Sequence, residues 1–221
     1  MERPKVKICG LTRPTDAQTA EACGAAYVGA IFVTGSPREV SPEVALTLAE
    51  CVAIPLIAVV ADLRAAEAAR IARRVGAGGI QLHGTESPAV VRALREEGDW
   101  ELWKAVRVRS ETDIVEASDR FGELVDLLLL DGWRAGFLGG TGKAFPWGAL
   151  ESVRRTMPGS LQVGVAGGLS AENVGDAVFR LDPDLVDVSS GVESSPGTKD
   201  PLQIRSFVER ARDAGQKVAR G

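Results

Sequence analysis

The sequence predicts an α/β protein, a single (β/α)8 TIM barrel that spans residues 1–221 as one domain. Eight short apolar runs alternate with eight amphipathic stretches along the chain, as in a parallel sheet that closes on itself. No Ser-, Gly- or Pro-rich linker divides the chain. A doubly wound open sheet fits less well, because the segment CGLTRPTD after the first strand lacks the GxGxxG fingerprint of such folds.

The apolar pattern and its flanking residues place each element. The predicted strands are 5–9, 26–32, 55–60, 78–82, 101–106, 125–131, 161–166 and 184–189. The predicted helices lie near 14–24, 41–51, 64–75, 87–98, 111–120, 147–156, 170–180 and 200–214. Prolines in first turns and serines at N-caps support several helix starts, namely Pro14, Pro42, Pro88, Ser41, Ser87 and Ser170. This scheme leaves no spare elements.

Composition limits the classes of function. The 221 residues are 45% hydrophobic and 25% charged, with a net charge of -4 and no basic run. This argues against a general nucleic-acid or membrane surface but allows a small anionic ligand. The three cysteines, Cys9, Cys23 and Cys51, cannot all pair and show no metal-type spacing. With no signal peptide or apolar span, we expect a reduced, cytoplasmic protein, either monomer or homodimer.

In a barrel, the last residue of each strand is a candidate active-site residue, because active sites form at the carboxyl ends of the strands. The polar residues at these ends are Cys9, His83, Asp131 and Ser189. Side chains alternate along a strand, so Lys7 shares the inward face with Cys9. An inward lysine needs a partner, and we expect Asp187, since strands 1 and 8 are neighbours in a closed barrel.

Two glycine-rich loops follow strands 7 and 8, where barrels often bind phosphate. Gly167, Gly168 and Gly191 allow backbone N–H groups to approach an anion, and Ser170 could cap the next helix. These glycines could instead form simple turns, but two glycine-rich loops at the two expected positions, after strands 7 and 8, favour phosphate binding.

The glycine-rich segment 136–147 after strand 6 lacks the GxxxxGK[ST] spacing of nucleotide-hydrolysing P-loops. It is either a loop that closes over the site and carries Lys143, or a long surface loop. Arg38, after strand 2, is either a ligand for a substrate carboxylate or a solvated surface residue.

Seven motifs, in this order, resemble the phosphoribosylanthranilate isomerase family over about residues 5–210. They are KICGLTRPTDA (7–17), SPREVSPE (36–43), IQLHG (80–84), LLLDG (128–132), GGTGKAF (139–145), AGGLSAENV (166–174) and VDVSSGVESSPGTKD (186–200). The resemblance implies an Amadori rearrangement in tryptophan biosynthesis, N-(5'-phosphoribosyl)anthranilate to 1-(2-carboxyphenylamino)-1-deoxyribulose 5-phosphate. It also implies that the reaction needs no metal and no organic cofactor.

The resemblance also implies the site residues. Cys9 is the general base, Asp131 the general acid, and Arg38 the ligand of the anthranilate carboxylate. It also implies that the loops at Gly167, Gly168, Ser190 and Gly191 hold the phosphate. We add His83, Asp187 and Gly140 as further candidate substrate contacts. His83 either contacts the substrate or acts as a neutral hydrogen-bonding partner, or it has only a structural role. Asp187 binds either a substrate hydroxyl or Lys7.

The chemistry is compatible with these roles. The apolar run 127–130 favours a protonated Asp131, which can open the sugar ring. A thiolate at Cys9 can then take the C2 proton if the pKa of Cys9 lies near neutrality, and the positive charge of Lys7 could lower that pKa.

Three rivals fit the sequence less well. A histidine-pathway isomerase would use aspartates at the ends of strands 1 and 5, but strand 1 ends on Cys9. A metal-dependent pentose-phosphate epimerase needs clustered histidines, and His83 is the only one. A non-catalytic phosphate-binding barrel would have lost the acid or the base, and both are present.

Overall fold

The computed structural model describes residues 4–132, 146–154 and 156–218. The barrel strands are β1 (Lys5–Ile8), β2 (Tyr27–Ile31), β3 (Leu56–Val60), β4 (Gly79–Leu82), β5 (Glu101–Val108), β6 (Leu127–Gly132), β7 (Gln162–Val165) and β8 (Leu185–Val188). The helices are α1 (Pro14–Cys23), α2 (Pro42–Glu50), α3 (Ala65–Arg74), α4 (Pro88–Glu97), α5 (Glu111–Phe121), α6 (Trp147–Val153), α7 (Val174–Leu181) and α8 (Pro201–Val218).

The eight strands form a closed parallel barrel in chain order, with β1 paired to both β2 and β8. This confirms the predicted (β/α)8 fold. The register sets Lys7 opposite Asp187 across the β1–β8 seam. Strand closure therefore brings the first and last strands' polar residues together at one end of the barrel.

The apolar core has two layers. The larger lies between the sheet and the helices, as expected for strands that bury both faces. The smaller fills the barrel interior and consists of Tyr27, Ile57, Trp103, Ala105, Leu127, Leu129, Ala166 and Leu185. Since this inner layer closes the middle of the barrel, a ligand can enter only at an end. Among the described residues, no helix is long and apolar enough to cross a bilayer.

The helix starts follow the capping signals in most cases. Pro14, Pro42 and Pro88 are the first residues of α1, α2 and α4. The hydroxyl oxygens of Ser41 and Ser87 each accept a hydrogen bond from the backbone N–H three residues further on. These five assignments are confirmed.

The predicted start of the seventh helix is wrong. α7 begins at Val174 with Asn173 at the N-cap position, so Ser170 does not cap it. Instead, the hydroxyl of Ser170 accepts a hydrogen bond from the backbone N–H of Glu172 within a preceding turn. Serine side chains form hydrogen bonds to nearby backbone in turns as readily as at helix caps, and Ser170 forms the turn bond.

The expectation of no spare elements is also wrong. A 3-10 helix (Ser190–Val192) follows β8, and an antiparallel pair, β9 (Glu193–Ser195) and β10 (Thr198–Lys199), precedes α8. The side chains of Glu193 and Lys199 form an ion pair of 2.8 Å across this hairpin. The hairpin thus holds a carboxylate beside the mouth of the barrel.

Candidate active site at the carboxyl end of the barrel

A cavity of about 500 Å³ opens at the carboxyl end of the strands. Cys9 and Asp131 both line it, as do Arg38, His83 and Asp187. Gly167, Gly168 and Ser190 lie on its wall, but Gly191 does not. The structure therefore brings eight of the ten predicted site residues to one cavity. Gly140, like Lys143, lies outside the described residues.

Cys9 lies directly after β1 and is buried. An ideal Cβ on Gly29 of β2 would lie 3.0 Å from Sγ, so glycine leaves room for the thiol. Burial raises the pKa of Cys9, and the nearby Lys7 ammonium lowers it without cancelling the rise. The Lys7 effect has the expected direction. The pKa of Cys9 nevertheless lies above its ordinary value rather than near neutrality, because burial outweighs it.

Lys7 is completely buried below Cys9. Its ammonium donates to Oδ1 of Asp187 at 3.1 Å and to Oε1 of Gln81 at 2.9 Å. Burial lowers the pKa of Lys7, but the negative charges of Asp187 and a Cys9 thiolate raise it by more, so its pKa lies above the ordinary value and the ammonium stays charged. The predicted Lys7–Asp187 pair is confirmed. The contact with Gln81 was not predicted.

His83 lies between Gln81 and Asp131. Nε2 of Gln81 is 2.8 Å from Nδ1 of His83, and Nε2 of His83 is 3.4 Å from Oδ2 of Asp131. The second contact does not have hydrogen-bond geometry, so His83 Nε2 is buried without a partner among the described residues. Nδ1 of His83 thus has a hydrogen-bonding partner, whereas its contact with substrate stays a prediction.

Asp131 is buried in β6 and faces the loop after β7. An ideal Cβ on Gly167 would lie 2.5 Å from Oδ1 of Asp131. Gly167 also has φ +78°, a conformation that side-chain-bearing residues rarely adopt. Glycine at this position therefore gives room to the Asp131 carboxyl group as well as shaping the predicted phosphate loop.

The loops after β7 and β8 touch each other. An ideal Cβ on Gly191 would lie 1.9 Å from the backbone oxygen of Leu169, so only glycine permits this approach. Gly168 has φ +68°. Gly191 thus supports the wall behind Gly167 and Ser190 rather than lining the cavity itself.

Arg38 pairs with Glu193 of β9. Its Nε donates to Oε1 and its Nη2 to Oε2, both at 2.7 Å, and Lys199 donates to the same carboxylate. Burial raises the pKa of Glu193, but the two cations lower it by more, so its pKa lies below the ordinary value and the carboxylate stays ionised. Glu193 uses the Nε–Nη2 edge of Arg38, and no other residue in the described ranges bonds to Nη1. A second carboxylate can bind the Nη1–Nη2 edge.

The sequence alone predicted no role for three residues of this site, Gln81, Glu193 and Lys199. All three stand inside the motifs IQLHG and VDVSSGVESSPGTKD, so the signal was present but carried no assigned role. In the described part of the chain, no group of three His, Cys, Asp or Glu side chains is placed to hold a metal ion.

The family profile described as "N-(5'phosphoribosyl)anthranilate (PRA) isomerase" matches residues 6–210. A protein named N-(5'-phosphoribosyl)anthranilate isomerase from Erythrobacter litoralis is 38% identical over 95% of this chain and 99% of its own. A protein with the same name from Rubrobacter xylanophilus is 40% identical over 94% of this chain and 98% of its own.

Solved structures agree. Phosphoribosyl anthranilate isomerase from Thermotoga maritima matches with a TM-score of 0.86 and 32% identity, covering 95% of this chain and 99% of its own. A structure of phosphoribosyl anthranilate isomerase with reduced 1-(o-carboxyphenylamino)-1-deoxyribulose 5-phosphate matches with a TM-score of 0.83 and 31% identity, at the same coverage. The chain belongs to the N-(5'-phosphoribosyl)anthranilate isomerase family.

Proposed function

We propose that this chain is a phosphoribosylanthranilate isomerase of tryptophan biosynthesis. It converts N-(5'-phosphoribosyl)anthranilate to 1-(2-carboxyphenylamino)-1-deoxyribulose 5-phosphate. The observation that carries the proposal is one cavity lined by a thiol, a carboxyl group, a guanidinium and glycine-rich loops, provided by Cys9, Asp131, Arg38 and residues 167–168. The relatives that match this chain over nearly their full length are named as this isomerase, which supports the proposal.

The two ends of the substrate are anionic, and each has a matching wall. Backbone amides of Gly167, Gly168 and the 3-10 turn at 190–192 suit the phosphate, because glycines with positive φ can turn N–H groups toward an anion. The Nη1–Nη2 edge of Arg38 suits the anthranilate carboxylate. Anchoring both ends places the ribose across the cavity, between Cys9 and Asp131.

Asp131 starts the reaction as a general acid. It gives its proton to the furanose ring oxygen while the bond from that oxygen to C1 breaks. The lone pair of the anthranilate nitrogen forms the C1=N bond of a protonated Schiff base. Asp131 is left as a carboxylate, and the sugar is open with a hydroxyl at C4.

Cys9 then acts as a general base. Its thiolate takes the C2 proton, and the C2–H electron pair becomes the C1=C2 bond as the C1=N pair returns to nitrogen. The resulting enolamine loses its hydroxyl proton and gains one at C1 to give the ketone. One proton has passed from Asp131 through the substrate to Cys9, so it must return before the next turnover.

Burial of Cys9 bears on this cycle. Because its pKa is raised, the resting site holds mostly a neutral thiol, and the reactive thiolate is the minor form. Lys7 stabilises that thiolate electrostatically. The cationic Schiff base that Asp131 creates adds a second positive charge nearby, which lowers the pKa of Cys9 and so increases the fraction of thiolate when the base is needed.

The setting of the enzyme follows from the same features. We propose a cytoplasmic protein, since Cys9, Cys23 and Cys51 are all free thiols. We also propose that it acts on a phosphorylated small molecule and not on nucleic acid, since its net charge is -4. One matching solved structure is of monomers generated from the dimeric Thermotoga maritima isomerase. Monomer and homodimer are therefore both retained for this chain.

Turnover of phosphoribosylanthranilate made in place, followed by loss of its fluorescence, tests the proposal. Wild type should be active, and Cys9→Ala and Asp131→Asn should each lose about 10²- to 10⁴-fold in kcat, the usual contribution of a general acid or base. Both variants should still bind the reduced product analogue. Cys23→Ala is the matched control and should retain wild-type turnover, since Cys23 does not line the cavity.

An inert wild type that binds the analogue would contradict the proposal and indicate a binding module or another phosphosugar enzyme. Full activity in either Cys9→Ala or Asp131→Asn would contradict the assignment of that residue.

A further inference from the structure

The orientation of the Gln81 amide is fixed by Lys7. An ammonium group has three donors and no acceptor, so the Gln81 atom 2.9 Å from Lys7 Nζ must be the carbonyl oxygen. Both residues are buried, Lys7 at 0% and Gln81 at 1% exposure, so water does not compete for this contact. The NH2 group of Gln81 must then point the other way, toward His83.

The NH2 group of Gln81 in turn fixes the state of His83. An amide nitrogen donates and does not accept, so Nδ1 of His83, 2.8 Å away, must be the acceptor. A neutral imidazole with an unprotonated Nδ1 carries its proton on Nε2. A second proton on Nδ1 would face the Gln81 N–H, donor against donor, so this contact disfavours the imidazolium ion.

The remaining ring N–H faces the proposed acid. Nε2 of His83 is buried, has no hydrogen-bond partner among the described residues and lies 3.4 Å from Oδ2 of Asp131. A buried donor left unpaired is unfavourable, and a small shift of either side chain would make this bond. Catalytic hydrogen bonds are often long before substrate binds.

We propose that Lys7 and Gln81 are positioning residues that hold His83 neutral, with its proton on Nε2, so that the ring donates to Oδ2 of Asp131. Oδ1, on the Gly167 side, then carries the proton that goes to the substrate. The catalytic part of this proposal rests on the proposed isomerase function, whereas the state of the imidazole does not.

The arrangement has two consequences for catalysis. A neutral His83 that already carries its Nε2 proton cannot take the proton of Asp131 at that atom, so the acid keeps it for the substrate. Once Asp131 has given that proton away, its carboxylate accepts a charge-assisted hydrogen bond from Nε2–H, which is stronger than a neutral one. No proton moves on His83 itself during this step.

His83 is the only histidine of the chain, so its imidazole can be observed without overlap. Nitrogen NMR of protein labelled in its histidine ring should show an unprotonated, hydrogen-bonded Nδ1 and a protonated Nε2. A wild-type spectrum with the proton on Nδ1, or with a charged ring, would overturn the proposal without any variant.

Gln81→Glu tests the cause, because it places an acceptor opposite Nδ1. The proton should move to Nδ1 or the ring should become charged, and kcat should fall about 10- to 100-fold with analogue affinity nearly unchanged. Gln203→Glu, the same change at an exposed position of α8, is the control and should alter neither.

The outcomes separate the two proposals. A wild-type tautomer retained in Gln81→Glu would overturn the positioning role of Gln81. The predicted tautomer in a wild type that lacks isomerase activity would uphold the assignment of His83 and overturn the proposed function.

Discussion

The two ends of the barrel are built from the same strands but differ in what their polar groups do. At the amino end, the phenol of Tyr27 accepts a hydrogen bond from Lys5 at 3.0 Å and donates to Glu101 at 3.1 Å. The indole of Trp103 donates to the same carboxylate and packs edge-on against Tyr27, with ring centroids 4.9 Å apart. These four side chains form a polar and aromatic plug in which the polar groups of Tyr27 and Trp103 are both paired.

At the carboxyl end, the network is left open. Lys7 donates to both Gln81 and Asp187 below the cavity, but the chain of contacts ends at Nε2 of His83, which has no partner among the residues that the structure describes. Glu193 likewise occupies one edge of Arg38, and no other described residue bonds to the second edge. A network whose buried polar groups are all paired stabilises the fold, whereas one that ends in the cavity holds groups ready for a ligand.

The largest expected effect on stability is at the amino end. Trp103 is 1% exposed, and Trp103→Ala should lower the free energy of unfolding by about 3–5 kcal/mol, because it leaves a cavity in the inner core. Urea denaturation followed by circular dichroism measures this loss.

Trp103→Phe is the matched control for that measurement. It keeps an aromatic ring and loses the hydrogen bond to Glu101, so it should cost about 0.5–1.5 kcal/mol plus a small packing loss. Unfolding of Trp103→Ala within about 1 kcal/mol of wild type would contradict a stabilising role for the plug.

A smaller effect is expected on the titration of Cys9. Since Lys7 lowers the pKa of Cys9 and Asp187 raises it, Lys7→Met should move that pKa up and Asp187→Asn should move it down. Thiolate forms as pH rises, so the ascending limb of kcat/KM should shift to higher pH in Lys7→Met and to lower pH in Asp187→Asn. Thiolate ultraviolet absorbance measures the same shift.

This titration needs a background in which Cys23 and Cys51 are serine, so that Cys9 is the sole thiol. Circular dichroism must show that each variant is folded at every pH used. Shifts in the same direction for Lys7→Met and Asp187→Asn would show that the two charges do not act on Cys9 as the geometry indicates.

Sequence reasoning reached the parts that depend on local pattern and strand order. Alternation and barrel closure were enough to predict the inward Lys7 and its pairing with Asp187, because β1 and β8 are neighbours. The position of Cys9 and Asp131 at strand ends was likewise predictable.

Contacts between elements that are not neighbours in the barrel were not predictable in this way. Lys7 reaches Gln81 on β4, which is not a neighbour of β1, and Arg38 meets Glu193 155 positions later in the chain. Neither contact leaves a periodic signal. The degree of burial that raises the pKa of Cys9 is also a property of the packed molecule, not of its neighbours in sequence.

We propose above that the carboxyl-end cavity binds the isomerase substrate, with Asp131 and Cys9 on either side of the ribose. A crystal structure with reduced 1-(o-carboxyphenylamino)-1-deoxyribulose 5-phosphate tests it most directly. We predict the phosphate at residues 167–168 and 190–191, and the carboxylate on the Nη1–Nη2 edge of Arg38 with the Glu193 contact intact. The open-chain C1 and C2 should lie between Cys9 and Asp131. An analogue bound elsewhere, or in this cavity with its C1 and C2 out of reach of both side chains, would contradict the account.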